Sequence, residues 1–198
     1  MMYKIAITGN IATGKTTVSK ILINLGYKVF ESDKEVKKTY EMREVVKQIK
    51  EIFNNKIPDL VKQNKINTNN LGNYVFSKKT ELKKLEEVIY PYIRKHKILF
   101  VKKYSKEKVL FFDVPLLFEK KLQEEYDFIF YTRVDSETQK SRVMKRANMN
   151  TKKFEKILMN QISLPKKFRT KVTLDLDTSE TKTQIKKIIT TFLKRKGL

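Results

Sequence analysis

The sequence predicts an α/β fold in which a parallel β-sheet is sandwiched by helices. First, short apolar runs rich in β-branched and aromatic residues alternate with amphipathic helical patterns along the chain. Second, those runs show little polar alternation, which is typical of strands covered on both faces. Third, a glycine-containing turn directly joins the first strand to the first helix. The length of 198 residues fits a single domain.

The chain opens with a strand–helix–strand unit. The pattern from Tyr3 to Thr8 predicts a short buried strand that ends at Gly9. A helix follows from Lys15, with Gly26 as its stop signal and apolar residues at helical spacing, namely Val18, Ile21, Leu22 and Leu25. The apolar segment 28–30 then predicts a second strand.

The segment between the second and third strands has a different character. It is charged and mostly helical, with no convincing strand, and Pro91 predicts a kink or break in its last helix. We therefore interpret residues of about 34–106 as a helical insertion, and residues of about 1–33 and 107–198 as the α/β core of one domain.

The C-terminal half returns to alternating elements. The predicted strands cover 108–114, 128–132 and 172–176, and the predicted helices cover 136–149, about 151–162 and 181–194. Pro165 is expected to break the chain after the second of these helices.

Composition excludes several classes of site. The chain has no cysteine, which rules out disulfides, zinc–thiolate sites and cysteine nucleophiles. Its one histidine, His96, is too little for a histidine-rich metal site and is expected to be an ordinary surface residue. No apolar run approaches the ~20 residues of a membrane span, and the short apolar start does not fit a signal peptide. We expect a cytoplasmic protein that is a monomer or a weak homo-oligomer.

The formal net charge of +22 has two interpretations. Such a field attracts polyanions, so a nucleic-acid partner has to be considered. The lysines, however, are spread over the whole chain rather than gathered in one segment, and no nucleic-acid-binding motif is visible. A general preference for lysine together with anionic small-molecule substrates is the favoured interpretation, and nucleic acid is an unlikely partner.

Residues 9–16 match the phosphate-binding pattern G-x-x-x-x-G-K-S/T without a gap. Glycine at both ends lets backbone N–H groups approach phosphate oxygens, and the following helix directs its positive end at the same anion. Lys15 would neutralise β- and γ-phosphate charge, and the Thr16 hydroxyl would ligate Mg²⁺. The pattern predicts a P-loop that binds ATP and Mg²⁺ through nine residues: Gly9, Asn10, Ile11, Ala12, Thr13, Gly14, Lys15, Thr16 and Thr17.

Two carboxylates follow predicted strands. Asp33 follows the second strand, where it could accept the proton of an acceptor hydroxyl or orient that hydroxyl; capping of the next helix is an equally good interpretation. Asp113 ends the third strand, where it could hold Mg²⁺ or a Mg²⁺-bound water, or serve as an ordinary turn carboxylate.

Arg142 and Arg146 lie four residues apart in a predicted helix. That spacing places both guanidinium groups on one helical face, where they could offset charge that develops during phosphoryl transfer. A solvated basic face is the alternative.

With these residues in place, the chain resembles the dephospho-CoA kinase family over nearly its whole length. The likeness consists of motifs in a fixed order, and the segment Asp113-Val114-Pro115-Leu116-Leu117-Phe118-Glu119 is the most specific of them. The other segments that carry it are 8–17, 25–33, 75–77, 85–93 and 172–179. Single residues also match the pattern, namely Gln139, Arg142, Arg146 and Gln161.

The resemblance implies ATP-dependent phosphorylation of the ribose 3′-hydroxyl of dephospho-CoA, which gives coenzyme A. It implies that Asp33 is the catalytic carboxylate, and that Arg142 and Arg146 belong to a lid over ATP at about 142–165. From their charges we expect Lys15 and Arg142 to be catalytic as well. It also implies that the helical insertion helps to bind the CoA-like substrate. Another small-metabolite or nucleotide kinase is the alternative, and a basic nucleic-acid-linked ATPase is the less favoured one.

Several positions depart from the family pattern. An arginine expected near the acceptor is Thr68 here, and a neighbouring lysine such as Lys62 or Lys65 could replace it. The usual histidine is Tyr90. Asn10 and Ala12 stand where glycine is usual, which predicts negative φ angles at both positions, or a left-handed conformation at Asn10 alone.

Overall fold

The computed structural model describes residues 2–146, 149–161 and 166–198. In chain order its elements are β1 (Tyr3–Thr8), α1 (Lys15–Asn24), β2 (Lys28–Glu31), α2 (Ser32–Thr39), α3 (Arg43–Phe53), β3 (Val61–Lys62), β4 (Lys65–Ile66), α4 (Thr68–Val75), α5 (Lys79–Lys103), β5 (Val109–Asp113), β6 (Phe128–Arg133), α6 (Ser136–Met144), α7 (Thr151–Asn160), β7 (Leu174–Asp177) and α8 (Lys182–Arg195). Short 3₁₀ turns cover Gln123–Glu125 and Lys166–Lys171.

Five strands form one parallel sheet in the order β2-β5-β1-β6-β7, which confirms the predicted fold class. The central strand β1 has β5 on one side and β6 on the other. Its Ile7 pairs in register with Asp113, so the carboxyl ends of β1 and β5 lie side by side. The strands that follow in the chain lie on both sides of β1, so the strand order reverses at this edge. Open α/β sheets bind ligands at such a reversal.

The chain forms two compact units, Met1–Glu31 with Tyr104–Leu198, and Ser32–Lys103. The first unit contains the sheet, with α1 and α8 packed on it. Its core is aliphatic and aromatic throughout, which is what a parallel sheet covered by helices requires. The fully buried members are Ile5, Ile7, Val18, Leu22, Phe111, Phe130, Leu176 and Ile189.

The second unit contains α2 to α5 and has an apolar core of its own. One face of α3 and one face of α5 supply much of it, as their amphipathic patterns predict. Its most deeply buried members are Val45, Ile49, Phe53, Leu60, Leu71 and Val75.

Three local predictions were wrong. First, the insertion contains a small hairpin, β3–β4, in which Val61 faces Ile66. Gln63 and Asn64 form its two-residue turn with φ of 49° and 59°, and strands of two residues are too short to show alternation. Second, of the kink or break predicted at Pro91, the break does not occur, because α5 continues through this residue. Third, the helix predicted over 136–149 ends at Met144.

The predicted end of α7 at Ile162 and the break at Pro165 lie outside the described residues. Among the helices that are described, none combines the length and the apolar character that crossing a membrane requires.

Candidate nucleotide-binding site

The loop between β1 and α1 depends on glycine at both ends. Gly9 has φ of 146° and Gly14 has φ of 93°, values that other residues rarely adopt. A Cβ on Gly9 would lie 2.4 Å from the Thr132 carbonyl oxygen, and a Cβ on Gly14 would lie 2.7 Å from the Thr178 side chain. Backbone shape and close packing therefore both require the two glycines that the sequence pattern identified.

The N-terminus of α1 is built differently from several other helix starts in the chain. Gly14 is its N-cap, no side chain caps it, and its first turn has no acidic residue. Four other helices begin with a side-chain cap, supplied by Asn67, Asp135, Asn150 and Thr181. The positive end of α1 is thus left for an external anion, and a phosphate group fits it.

Lys15 lies over this loop. Its Nζ donates hydrogen bonds to the carbonyl oxygens of Gly9 at 2.6 Å and Asn10 at 3.0 Å. The ammonium group is therefore held within the same turn as the helix N-terminus, where two sources of positive potential add. A lysine in this place matches the phosphate-binding pattern that the sequence carries.

Ala12 overturns one expectation about the loop. It adopts a left-handed conformation with φ of 59°, whereas Asn10 stays outside that region. The conformation costs a non-glycine residue about 1–2 kcal/mol. Packing offsets part of that cost, because the Ala12 methyl group is buried in a small cluster with Val143 of α6 and Phe154 of α7.

Hydroxyl groups tie the loop to neighbouring strands. Thr13 Oγ1 donates to the Asn10 carbonyl oxygen at 2.8 Å and lies 2.8 Å from Thr132 Oγ1, where either hydroxyl can be the donor. Thr178 Oγ1 donates to the Thr13 carbonyl oxygen at 2.8 Å. All three threonines are buried, so these bonds are made away from competing water.

Arg142 reaches the loop from α6 and has defined protein partners. Its guanidinium donates to Thr178 Oγ1 at 2.9 Å and to the Thr178 carbonyl oxygen at 2.7 Å, and it lies 3.5 Å from the Ala12 carbonyl oxygen. Arg146 follows the end of α6 and is exposed. The two arginines therefore do not share one helical face. The hydrogen-bond ladder tightens at this end, where the Arg146 N–H donates to the Val143 carbonyl oxygen.

The strand end next to Thr178 is held by charge. Arg133 contacts Asp175 at 2.9 Å and Asp177 at 2.7 Å. The Ser179 hydroxyl and backbone N–H, with the Arg133 guanidinium, hold the pKa of the Asp177 carboxyl below its usual range. Residues Thr178 and Arg133 were missed in the sequence, because the contacts that give them a role join segments far apart in the chain.

Asp113 and Thr16 are the candidate oxygen ligands for a metal. Asp113 is buried at the carboxyl end of β5, and Thr16 is exposed in the first turn of α1. Carboxylate and hydroxyl oxygens suit Mg²⁺, which at nucleotide sites takes only one or two protein ligands beside phosphates. In the described ranges no group of three or more His, Asp or Glu side chains is placed to hold a metal.

The remaining candidates lie in the second unit. Asp33 is exposed in the first turn of α2, two residues after Glu31 of β2. Thr68 begins α4 after its N-cap Asn67. Lys62 and Lys65 face each other across the β3–β4 hairpin, and replacement of the missing arginine by either lysine stays a prediction.

His96 is not the ordinary surface residue that was expected. Its Nδ1 lies 2.9 Å from Glu35 Oε2, and its side chain is only 23% exposed. Glu35 also contacts Lys38 at 2.6 Å, so His96 belongs to a polar cluster on α2 and α5. Tyr90, which replaces the usual histidine of the family pattern, donates to Glu86 Oε1 at 2.9 Å on α5.

Similarity to known proteins agrees with this geometry. The family model described as dephospho-CoA kinase (CoaE) matches residues 3–182. A dephospho-CoA kinase of Fusobacterium nucleatum is 41% identical over 160 residues, which is 80% of this chain and 81% of that protein. One of Clostridium tetani is 35% identical over 193 residues, covering 93% and 84% of the two chains. The solved dephospho-CoA kinase of Campylobacter jejuni superposes with a TM-score of 0.70 at 25% identity and covers 98% of this chain and 96% of its own.

Proposed function

This chain belongs to the dephospho-CoA kinase family and is an ATP-dependent phosphotransferase, and on that premise we propose how its residues phosphorylate dephospho-CoA. The γ-phosphoryl group of ATP passes to the ribose 3′-hydroxyl, and the products are ADP and coenzyme A. The uncapped start of α1 under the Lys15 ammonium, at the end of the central strand, is the observation that carries the ATP half of this assignment.

ATP phosphates bind to the loop and to α1. The backbone N–H groups that begin α1 contact phosphate oxygens, and Lys15 exchanges its carbonyl partners for the β- and γ-phosphates. Asn10, Ile11, Ala12, Thr13 and Thr17 belong to the same binding segment. Gly9 and Gly14 let that backbone come close to the nucleotide.

Thr16 and Asp113 would hold Mg²⁺, which would neutralise phosphate charge when it is bound. Arg142 supplies a second positive charge beside the loop, and Thr178 fixes the direction of its guanidinium plane. Arg146 contributes at longer range as a binding residue of the segment that covers ATP.

Asp33 accepts the proton of the acceptor hydroxyl as the new O–P bond forms and the bond to ADP breaks. The role rests on its position two residues after β2, on its exposure, and on the family resemblance of residues 25–33. The helical unit of residues 32–103 is assigned to the acceptor. A cytoplasmic location and a monomeric or weakly oligomeric state stay predictions, as does the absence of a nucleic-acid partner.

The reaction is tested by ADP release from purified protein with ATP, Mg²⁺ and dephospho-CoA, beside a reaction without acceptor. We expect acceptor-dependent ADP release, with coenzyme A identified by mass spectrometry, and none from Lys15→Ala. A clear preference for a nucleoside monophosphate or a shikimate-like acid would contradict the assigned acceptor.

The role of Asp33 is tested in the same assay with Asp33→Asn. A positioned acid–base group contributes about 10²–10⁴-fold to rate, so kcat should fall by that factor with little change in ATP affinity. Glu44→Gln is the matched control, since it neutralises an exposed carboxylate in the first turn of α3 in the same unit. Near-normal turnover of Asp33→Asn would remove Asp33 from the mechanism.

A further inference from the structure

Two glutamines hold the phosphate loop at Ile11, one on each of its backbone polar groups. The Ile11 N–H donates to Gln161 Oε1 at 2.7 Å, and Gln139 Nε2 donates to the Ile11 carbonyl oxygen at 2.8 Å. A backbone N–H can only donate and a backbone carbonyl can only accept, so these partners define how each side-chain amide is oriented. Gln139 lies in α6 and Gln161 directly follows α7.

A loop of this shape needs outside support. The left-handed Ala12 holds the backbone in a conformation that is costly for a residue with a Cβ, and loop peptides have no ladder to satisfy their polar groups. The support comes from α6 and α7, which also enclose the Ala12 methyl group through Val143 and Phe154. Polar contacts at Ile11 and apolar contacts at Ala12 therefore come from the same two helices and the residue that follows them.

The bond to Gln161 also has a consequence for ligand binding. Because the Ile11 N–H donates to Gln161, it does not face the phosphate position, whereas the uncapped N–H groups at the start of α1 do. Losing that bond would free Ile11 to rotate and would disturb the donors that follow it in the chain.

We propose that Gln139 and Gln161 are positioning residues that hold the phosphate loop in its ATP-binding shape and so link ATP affinity to the packing of α6 and α7. The inference rests on the proposed function only in that the loop binds the phosphates of ATP. It does not depend on which acceptor is phosphorylated.

The first test replaces each glutamine by methionine, which has a similar length and no amide. We measure the Kd of ATP directly and the KM values of ATP and acceptor separately. Gln139→Met and Gln161→Met should each weaken ATP binding about tenfold, which corresponds to about 1.4 kcal/mol, while the acceptor KM stays within about twofold. Since both side chains act on one residue, the double variant should lose less than the product of the two single losses.

Gln184→Met is the matched control. The Gln184 side chain also accepts a hydrogen bond from a backbone N–H, that of Thr181 at 3.0 Å, but it does so in the capping box of α8. Its loss should lower the unfolding midpoint in urea and leave ATP binding within about twofold of wild type. A purely structural role for the other two glutamines would give the same pattern as this control.

The second test uses glutamate. Gln161→Glu keeps an acceptor for the Ile11 N–H, whereas Gln139→Glu cannot donate and places a carboxylate against a carbonyl oxygen. Both variants add one negative charge near the loop, so their difference reports the hydrogen bond. We expect ATP binding by Gln139→Glu to be at least about tenfold weaker than by Gln161→Glu. This comparison tests the hydrogen bonds at Ile11 even if a methionine variant fails to fold.

Equal ATP affinity of the two glutamate variants, or wild-type affinity of folded methionine variants, would overturn the proposal. A loss of ATP binding in Gln184→Met as large as in the others would do the same. If the wild type binds ATP but shows no turnover with dephospho-CoA, the proposed function fails, and the ATP Kd values still decide this inference.

Discussion

Ala12→Gly is the most informative substitution, because the loop holds an alanine in a conformation that favours glycine. Three contributions to the free energy of unfolding can be set against one another. Removing the buried methyl group costs about 0.8 kcal/mol, and the greater freedom of glycine in the unfolded chain costs about 0.5–1 kcal/mol. Relief of the left-handed conformation returns about 1–2 kcal/mol. The net change should lie within about 1 kcal/mol of zero.

Ala6→Gly is the matched reference. Ala6 lies in β1, is fully buried, and has an ordinary strand conformation. The same substitution there loses the methyl group and gains unfolded-state freedom with no relief of strain, so it should destabilise by about 1.5 kcal/mol. The difference between the two variants isolates the conformational cost at Ala12.

The assay is equilibrium unfolding in urea, with the midpoint and slope compared for wild type and both variants. We expect Ala12→Gly to lie close to wild type and Ala6→Gly to lie clearly below it. If Ala12→Gly were destabilised as much as Ala6→Gly, the claim that Ala12 stores backbone strain would be refuted.

Two further predictions concern the loop and acid stability. Gly9→Ala should abolish measurable ATP binding, because its Cβ would lie 2.4 Å from a backbone carbonyl of β6; Gly26→Ala, also at positive φ but with open space around it, should lose only stability. Retained ATP affinity in Gly9→Ala would contradict the close packing. Hydrogen bonding chiefly from Lys56 holds the pKa of Glu81 below its ordinary value, so this carboxylate stabilises the fold above about pH 4.3 and less as pH falls below it. With Glu81→Gln, the free energy of unfolding measured in urea should decrease less steeply as pH falls below that value. Glu87→Gln, on the exposed side of the same helix, should alter this pH dependence less, and an equal pH dependence in the two variants would argue against the prediction.

Local regularities explain why much of the architecture was predictable. The strands are apolar because both of their faces are covered, and helices such as α3 repeat their apolar residues at helical spacing. The phosphate loop has a sequence signature because glycine and lysine are required at stated positions. Each of these signals lies within a few consecutive residues.

The errors have equally physical causes. The β3–β4 hairpin has two residues in each strand and a Gln63–Asn64 turn, which is too short for any periodic signal. The end of α6 at Met144 is set by tightening of its last turn, and the spacing of Arg142 and Arg146 gave no hint of it. The left-handed conformation of Ala12 runs against the intrinsic preference of alanine, so only the surrounding contacts could impose it.

By itself, therefore, the sequence determined the alternation of strands and helices in the α/β core, the phosphate loop and the likeness to one kinase family. Only the tertiary structure decided how that loop is held. Gln139, Gln161 and Thr178 reach it from positions 128, 150 and 165 residues away in the chain. Hydrogen bonds over such separations depend on how strands and helices come together, and no pattern of neighbouring residues encodes them.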